Sequence, residues 1–402
     1  MPVKSFALIG WMPLCCLLLV ACGGGRGSSD DFNQQPGTEP TAPALSPQAS
    51  LGEKIFKDIS LSASGQLACA TCHDPERAHA GNDSRAVPLG GVGMNVAGFR
   101  NGPSLNYLSF NPAFFFDDEG TPTGGFDRDG RVNSFAEQAR RPLLAAHEMA
   151  NTTPANVIVK LRSASYVNEF TQVFGSDIFD RGEEAFDRAV LALQAYEKED
   201  ADFRPFNSKF DYFLVGKAKL SDQELRGYAL FNDLNKGNCA GCHPSGRLAD
   251  GTPPLFTDFT YDNLGVPRNA DILANADPTY YDLGLCGPDR SDLIATRPDL
   301  CGAFKVPTLR NVAITAPYFH NGKFATLREV VSFYVRRDTN PEEWYSNKGA
   351  DKFNDLPPEY RANVNTTEVP YNRHLGEQPA LTSEEIDDVV AFLNTLTDGY
   401  QL

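Results

Sequence analysis

Apolar residues recur at helical spacing in several stretches of the chain. Phe186, Val190, Leu193 and either Tyr196 or Glu197 trace one face of a helix. Ile386, Val389, Val390, Leu393 and Leu396 trace another, behind a Thr382/Glu385 capping pair. Two more helices are predicted to start at capping boxes, Ser50 with Glu53 and Ser221 with Glu224. Strict alternation of Val and Ile is scarce. The pattern therefore predicts a mostly α protein with long loops and at most short strands, and the apolar stripes read as core packing.

The N-terminus follows a different pattern. Lys4 precedes an apolar run over 6–21 that ends Leu19-Val20-Ala21-Cys22. A basic start, an apolar core and small residues at the end predict a signal peptide over 1–21. The ending resembles a bacterial lipobox, which implies acylation of Cys22. The alternative is plain secretion with loss of Cys22. Residues 22–47 are Gly-, Ser-, Pro-, Gln- and Thr-rich and predict a flexible tether. The implied place is the bacterial periplasm, with lipid anchoring to the outer membrane.

Composition narrows the rest. At 402 residues, 41% hydrophobic and 22% charged, the chain is an ordinary globular one. Its net charge of −16 argues against nucleic-acid binding and favours a basic partner.

Nine cysteines change the picture through their spacing. Cys69-Ala70-Thr71-Cys72-His73 and Cys239-Ala240-Gly241-Cys242-His243 are both C-x-x-C-H, the spacing of c-type haem attachment. Two thiols on one turn reach the two vinyl groups of one haem, and the next residue brings an imidazole under the iron. A four-cysteine zinc site would use the same pairs, but leaves the histidine after each unexplained. Two covalent haems are expected, with His73 and His243 as proximal ligands. Cys15 and Cys16 leave with the leader. Cys286 and Cys301 remain, and an oxidising compartment predicts a disulfide stabilising by about 3 kcal/mol.

The two motifs sit in similar surroundings. Gly52-x-x-x-Phe56-x-Asp58 precedes the first, and Gly227-x-x-x-Phe231-x-Asp233 the second. Pro103-Ser104-Leu105 and Pro307-Thr308-Leu309 follow them, then Pro-aromatic stretches, then Ser/Thr-x-x-Glu segments at Ser134 and Thr326. This order predicts an internal duplication, with haem domains over 48–215 and 216–402. Aligning Ser134 on Thr326 pairs Pro142 with Tyr334. Proline cannot ligate iron, whereas tyrosine can as a phenolate. The first haem is thus expected to keep an open face and the second to be His/Tyr-ligated, unless Tyr334 is an ordinary core tyrosine.

Leu51-Gly52-Glu53-Lys54-Ile55-Phe56, both haem motifs, Asn101-Gly102-Pro103-Ser104-Leu105, Asp129-Gly130-Arg131, Gln138 with Pro142 and Glu148, and Lys305-Val306-Pro307-Thr308-Leu309-Arg310-Asn311 together resemble the bacterial dihaem cytochrome c peroxidase/MauG family. The resemblance implies two cytochrome c-like domains, with hydrogen peroxide reduced at the N-terminal haem and electrons relayed through the C-terminal one. It makes Glu148 the distal acid–base carboxylate, Gln138 the distal amide and Pro142 the residue beside the open site. Tyr334 follows the MauG branch, where other members carry methionine. No histidine lies between 87 and 98, which implies a site open without reductive activation. The resemblance also implies one calcium, held by the Asn101 side chain and the Thr315 and Pro317 carbonyls. His320 reads as a hydrogen-bonding residue rather than a ligand. His79, His147 and His374 read as solvent-facing.

One departure stands out. Arg128 takes the place of a tryptophan common in the family between the haems; Phe114, Phe115, Phe116 and Phe126 are near it in sequence. Trp344 reads as packing. The donor is either a small electron-donor protein or a protein being modified. The competing reading is a dihaem electron carrier without catalysis.

Overall fold

The computed structural model describes residues 44–402, apart from Asn82. The expected leader, Cys22 and the tether up to residue 43 lie outside the described residues.

The described chain is helical in its regular parts. In the first half come α1 (Pro47–Phe56), α2 (Cys69–Cys72), α3 (Phe135–Leu144), α4 (Pro154–Leu161), α5 (Val167–Phe174) and α6 (Glu184–Glu199). The second half has α7 (Lys209–Leu214), α8 (Asp222–Asn232), α9 (Leu327–Arg336) and α10 (Ser383–Asn394). Strands are confined to three antiparallel pairs of two residues each. Among the described residues, no helix is long and apolar enough to cross a membrane.

Helix α1 starts earlier than its sequence suggests. Ser46, not Ser50, is the N-cap: its Oγ accepts from Ala49 N, and Pro47 sits in the first turn. Ser50 is already inside the helix and donates its N–H to Ser46 O. Ser46 also hydrogen-bonds the Glu199 carboxylate, and Leu45 packs on the first core. The end of the expected tether, Leu45 to Pro47, is therefore packed on the first half. The caps at Ser221 and Thr382 form capping boxes with Glu224 and Glu385.

Each haem motif has its own helix pair. Helix α1 packs on α6, and α8 on α10. The contact is closest at glycine. A Cβ at Gly52 would lie 2.0 Å from Ala192 O, and one at Gly227 1.9 Å from Asp388 O. Two apolar clusters result, one containing Leu51, Ile55, Phe56, Phe186 and Phe203, the other Phe210, Phe231, Phe256, Phe392 and Leu396. Phe210 belongs to the second cluster, so α7, placed in the first domain by a boundary at 215, packs with the second half. Both halves lie in one compact unit.

Candidate active site

The first motif forms a single helical turn, α2, in which His73 N donates to Cys69 O at 2.9 Å. That turn holds both thiols and the imidazole together. His73 Nδ1 lies 3.0 Å from His79 O. A carbonyl only accepts, so Nδ1 carries the proton and Nε2 is left with a free lone pair. Burial lowers the pKa of His73, which favours the neutral, ligating form. Burial, then the charges of Glu197 and Cys72, push the Cys69 thiol up to about 12.

The second motif repeats this geometry. His243 N donates to Cys239 O at 2.9 Å, and His243 Nδ1 lies 2.8 Å from Phe256 O. Ser104 Oγ donates to Ala78 O in the first half, and Thr308 Oγ1 donates to Leu255 O in the second.

A cavity of about 570 Å³ opens beside the second motif, lined by Cys239, Cys242, His243, Tyr334 and Tyr371 among others. That volume is in the range that encloses a cofactor. Thr326 caps α9, and two turns later Tyr334 faces the cavity. Burial, then the Asp262 carboxylate and the two thiols, hold the Tyr334 phenol well above its ordinary value.

In the first half, Ser134 caps α3, and Pro142 lies inside that helix, one turn after Gln138. Lacking an N–H, Pro142 cannot bond the Gln138 carbonyl. After α3 the chain turns back: Glu148 N donates to Ala145 O, and Gly91 N donates to Glu148 O. Gly90 lies so close that a Cβ there would come 2.4 Å from His147 O. The half-exposed Glu148 carboxylate is near enough to raise the Cys72 thiol, after burial, and to favour protonated His73. Gln138 lines a smaller cavity of about 150 Å³ between the halves.

Several residues sit otherwise than the sequence suggests. His79 is not solvent-facing but 2% exposed. Its Nδ1 meets Asn106 Oδ1 at 2.8 Å, its ring stacks on Phe203, and its carbonyl anchors His73. His147 is half-buried beside Glu148 and Phe99, and His374 is exposed. His320 is buried, stacked on Phe304, with Nε2 3.3 Å from Asp355 Oδ2. Trp344 packs edge-on against Phe324 and Phe333. Cys286 and Cys301 are joined by a disulfide.

Two residues of the site escaped sequence reasoning. Tyr371 shares the second cavity but lies in a loop without periodicity. Glu197 is buried beside Cys69; desolvation raises its pKa to about 8, and its Oε2 has no hydrogen-bond partner. The ambiguity between Tyr196 and Glu197 on the helical stripe was the one signal for it.

The expected calcium ligands do come together: Asn101, Thr315 and Pro317 all line the smaller cavity. They do not suit a divalent ion here. Arg128 Nη2 donates to Asn101 Oδ1 at 2.9 Å, and Arg128 Nε to Asn101 O at 3.0 Å. On the other side, Arg77 donates to the carbonyls of Ile314 and Ala316, which flank Thr315. All three expected ligands are neutral. Like charges at 4 Å repel by about 4 kcal/mol at an effective dielectric of about 20, and a divalent ion doubles this. The guanidinium on Asn101 thus opposes calcium at that oxygen.

A family model described as di-haem cytochrome c peroxidase matches residues 46–219. The methylamine utilization protein MauG of Paracoccus denitrificans is 37% identical over 371 residues, covering 90% of this chain and 91% of its own. The chain belongs to the di-haem cytochrome c peroxidase family. A cytochrome c551 peroxidase of Nitrosomonas europaea is 32% identical, covering 76% of this chain and 79% of that protein. The crystal structure of the diheme peroxidase BthA from Burkholderia thailandensis superposes with a TM-score of 0.81 at 39% identity, covering 90% of this chain and 89% of that one. As a di-haem peroxidase, the protein is an oxidoreductase with two c-type haems. The two attachment motifs fit that cofactor: each offers paired thiols and an imidazole whose Nδ1 is already fixed on a carbonyl.

Proposed function

We propose that the protein reduces hydrogen peroxide at the site of Cys69, Cys72 and His73, with electrons relayed through the site of Cys239, Cys242, His243 and Tyr334. The observation that carries this reading is the asymmetry between two equivalent helices. Tyr334 on α9 faces the second cavity, while the equivalent position on α3 is Pro142. When bound, haem supplies a redox-active iron with one face for peroxide. The chain's own residues do the rest. Glu148 takes the proton from one peroxide oxygen and returns it to the other as the bond between them breaks, which is general acid–base work. Gln138 orients the peroxide or a water by hydrogen bonding. Two electrons and two further protons complete the conversion to two waters.

The donor is read as a basic c-type cytochrome. The net charge of −16 steers a basic protein, and one relative is named a cytochrome c551 peroxidase. The likeness to MauG keeps modification of a partner protein as the second reading. Matched anchors on Ala78 and Leu255, and matched glycine contacts at Gly52 and Gly227, support two copies of one haem domain. The lipobox-like ending at Cys22 supports a periplasmic protein anchored by lipid.

Electron paramagnetic resonance of the ferric holoprotein tests the reading. One high-spin and one low-spin haem are expected, with peroxide consumed without prior reduction. Two low-spin haems inert to peroxide overturn it in favour of an electron carrier.

A further inference from the structure

Most buried arginines in this protein have a carboxylate. Arg100 pairs with Asp129 and Asp282, Arg131 with Asp127 and Asp129, Arg310 with Asp211, and Arg337 with Asp338. Arg128 has none among the described residues. Its charged neighbours are the cation Arg100 and the Asp282 carboxylate, which is itself paired with Arg100. Arg128 is part-buried and lines both cavities, as does Lys305, which also makes no ion pair among the described residues. Lys305 Nζ bonds only neutral oxygens, Asn111 Oδ1 and Gly125 O.

A buried guanidinium without an anion is costly unless an anion arrives. Each haem brings two propionate carboxylates. Meanwhile two of Arg128's N–H groups are fixed on the carbonyl and side-chain oxygen of Asn101, where a divalent ion is disfavoured. We propose that Arg128 is the built-in inter-haem cation of this protein, taking the place of a bound divalent ion at Asn101 and giving its charge to a carboxylate of the haem in the cavity beside the second motif. Because the cation is covalent, it is present whatever the calcium concentration. The inference rests on haem occupying the cavity beside the second motif, which Arg128 lines, but not on which haem meets peroxide.

Metal analysis and potentiometry of the holoprotein test it. After equilibration with calcium and desalting, the wild type is expected to hold far less than one calcium per chain, and a chelator to leave its resonance spectrum unchanged. Arg128→Gln removes a positive charge near the haems, so their midpoint potentials are expected to fall; Arg128→Lys restores them. One tightly held calcium per chain, or potentials equal in wild type, Arg128→Gln and Arg128→Lys, overturns the proposal. If Arg128→Gln fails to fold, the calcium content and chelator response of the wild type still decide. Two low-spin haems in the wild type refute the peroxide reading alone and leave this one to its own measurements.

Discussion

Tyr107 and Asn311, at equivalent places after the two haem motifs, hydrogen-bond the same carboxylate oxygen. Tyr107 OH and Asn311 Nδ2 each lie 2.7 Å from Asp398 Oδ2. Both have left-handed backbone, with φ of 66° and 62°. Asp398 therefore joins the Pro103-Ser104-Leu105 loop of one half to the Pro307-Thr308-Leu309 loop of the other. Asp398→Ala is expected to leave both donors without this partner and to destabilise the holoprotein by about 2 kcal/mol or more, read by chemical denaturation. Unchanged stability would show that the shared oxygen is not a tie between the halves.

Tyr334 shares its cavity with Tyr371, so the two must be told apart. Tyr334→Phe is expected to convert the low-spin haem signal to high-spin, and Tyr371→Phe to leave it low-spin. The opposite pattern moves the ligand to Tyr371, and no change in either removes tyrosine from the iron.

Glu148→Gln keeps the shape of the side chain and removes its base. Peroxide turnover is expected to slow by about 10²–10⁴-fold, with haem content and spectra unchanged. A variant running at wild-type rate would discard the acid–base role.

Glu197 gives a pH test. Its folded-state pKa is raised from 4.5 to about 8 by burial. Between those values the folded state holds a proton that the unfolded state has released, so stability falls as pH rises through this window. The slope is up to about 1.4 kcal/mol per pH unit. Glu197→Gln is expected to flatten that slope, leaving the variant the more stable of the two at pH 8. Parallel stability–pH curves for variant and wild type would mean that Glu197 ionises normally.

Local pattern carried much of this. The thiol–thiol–imidazole turns at Cys69 and Cys239 and the stripes of α6 and α10 follow from neighbours a few residues apart. So does the place of Tyr334, through the Thr326 cap. What was missed depends on contacts far apart in sequence. Ser50 and Glu53 look like a capping box, yet Ser46 caps the helix because Pro47 is preorganised for the first turn and Glu199 fixes Ser46. His79 acts through its carbonyl and through Phe203, neither of which a lone histidine advertises. The opposition between Arg128 and a calcium ion appears only once Asn101 is seen beside it. Phe210 reveals its side of the boundary only through Phe256 and Phe392.

The glycine crossings have a mechanical consequence. At Gly52 and Gly227 one helix rests directly on the backbone of its partner, with nothing softer than a hydrogen atom between them. Such a joint has no cushion. A Cβ at either place must push the two helices beside that half's haem motif apart. Alanine at either glycine should thus first announce itself as a leaky, easily bleached chromophore in an otherwise folded molecule.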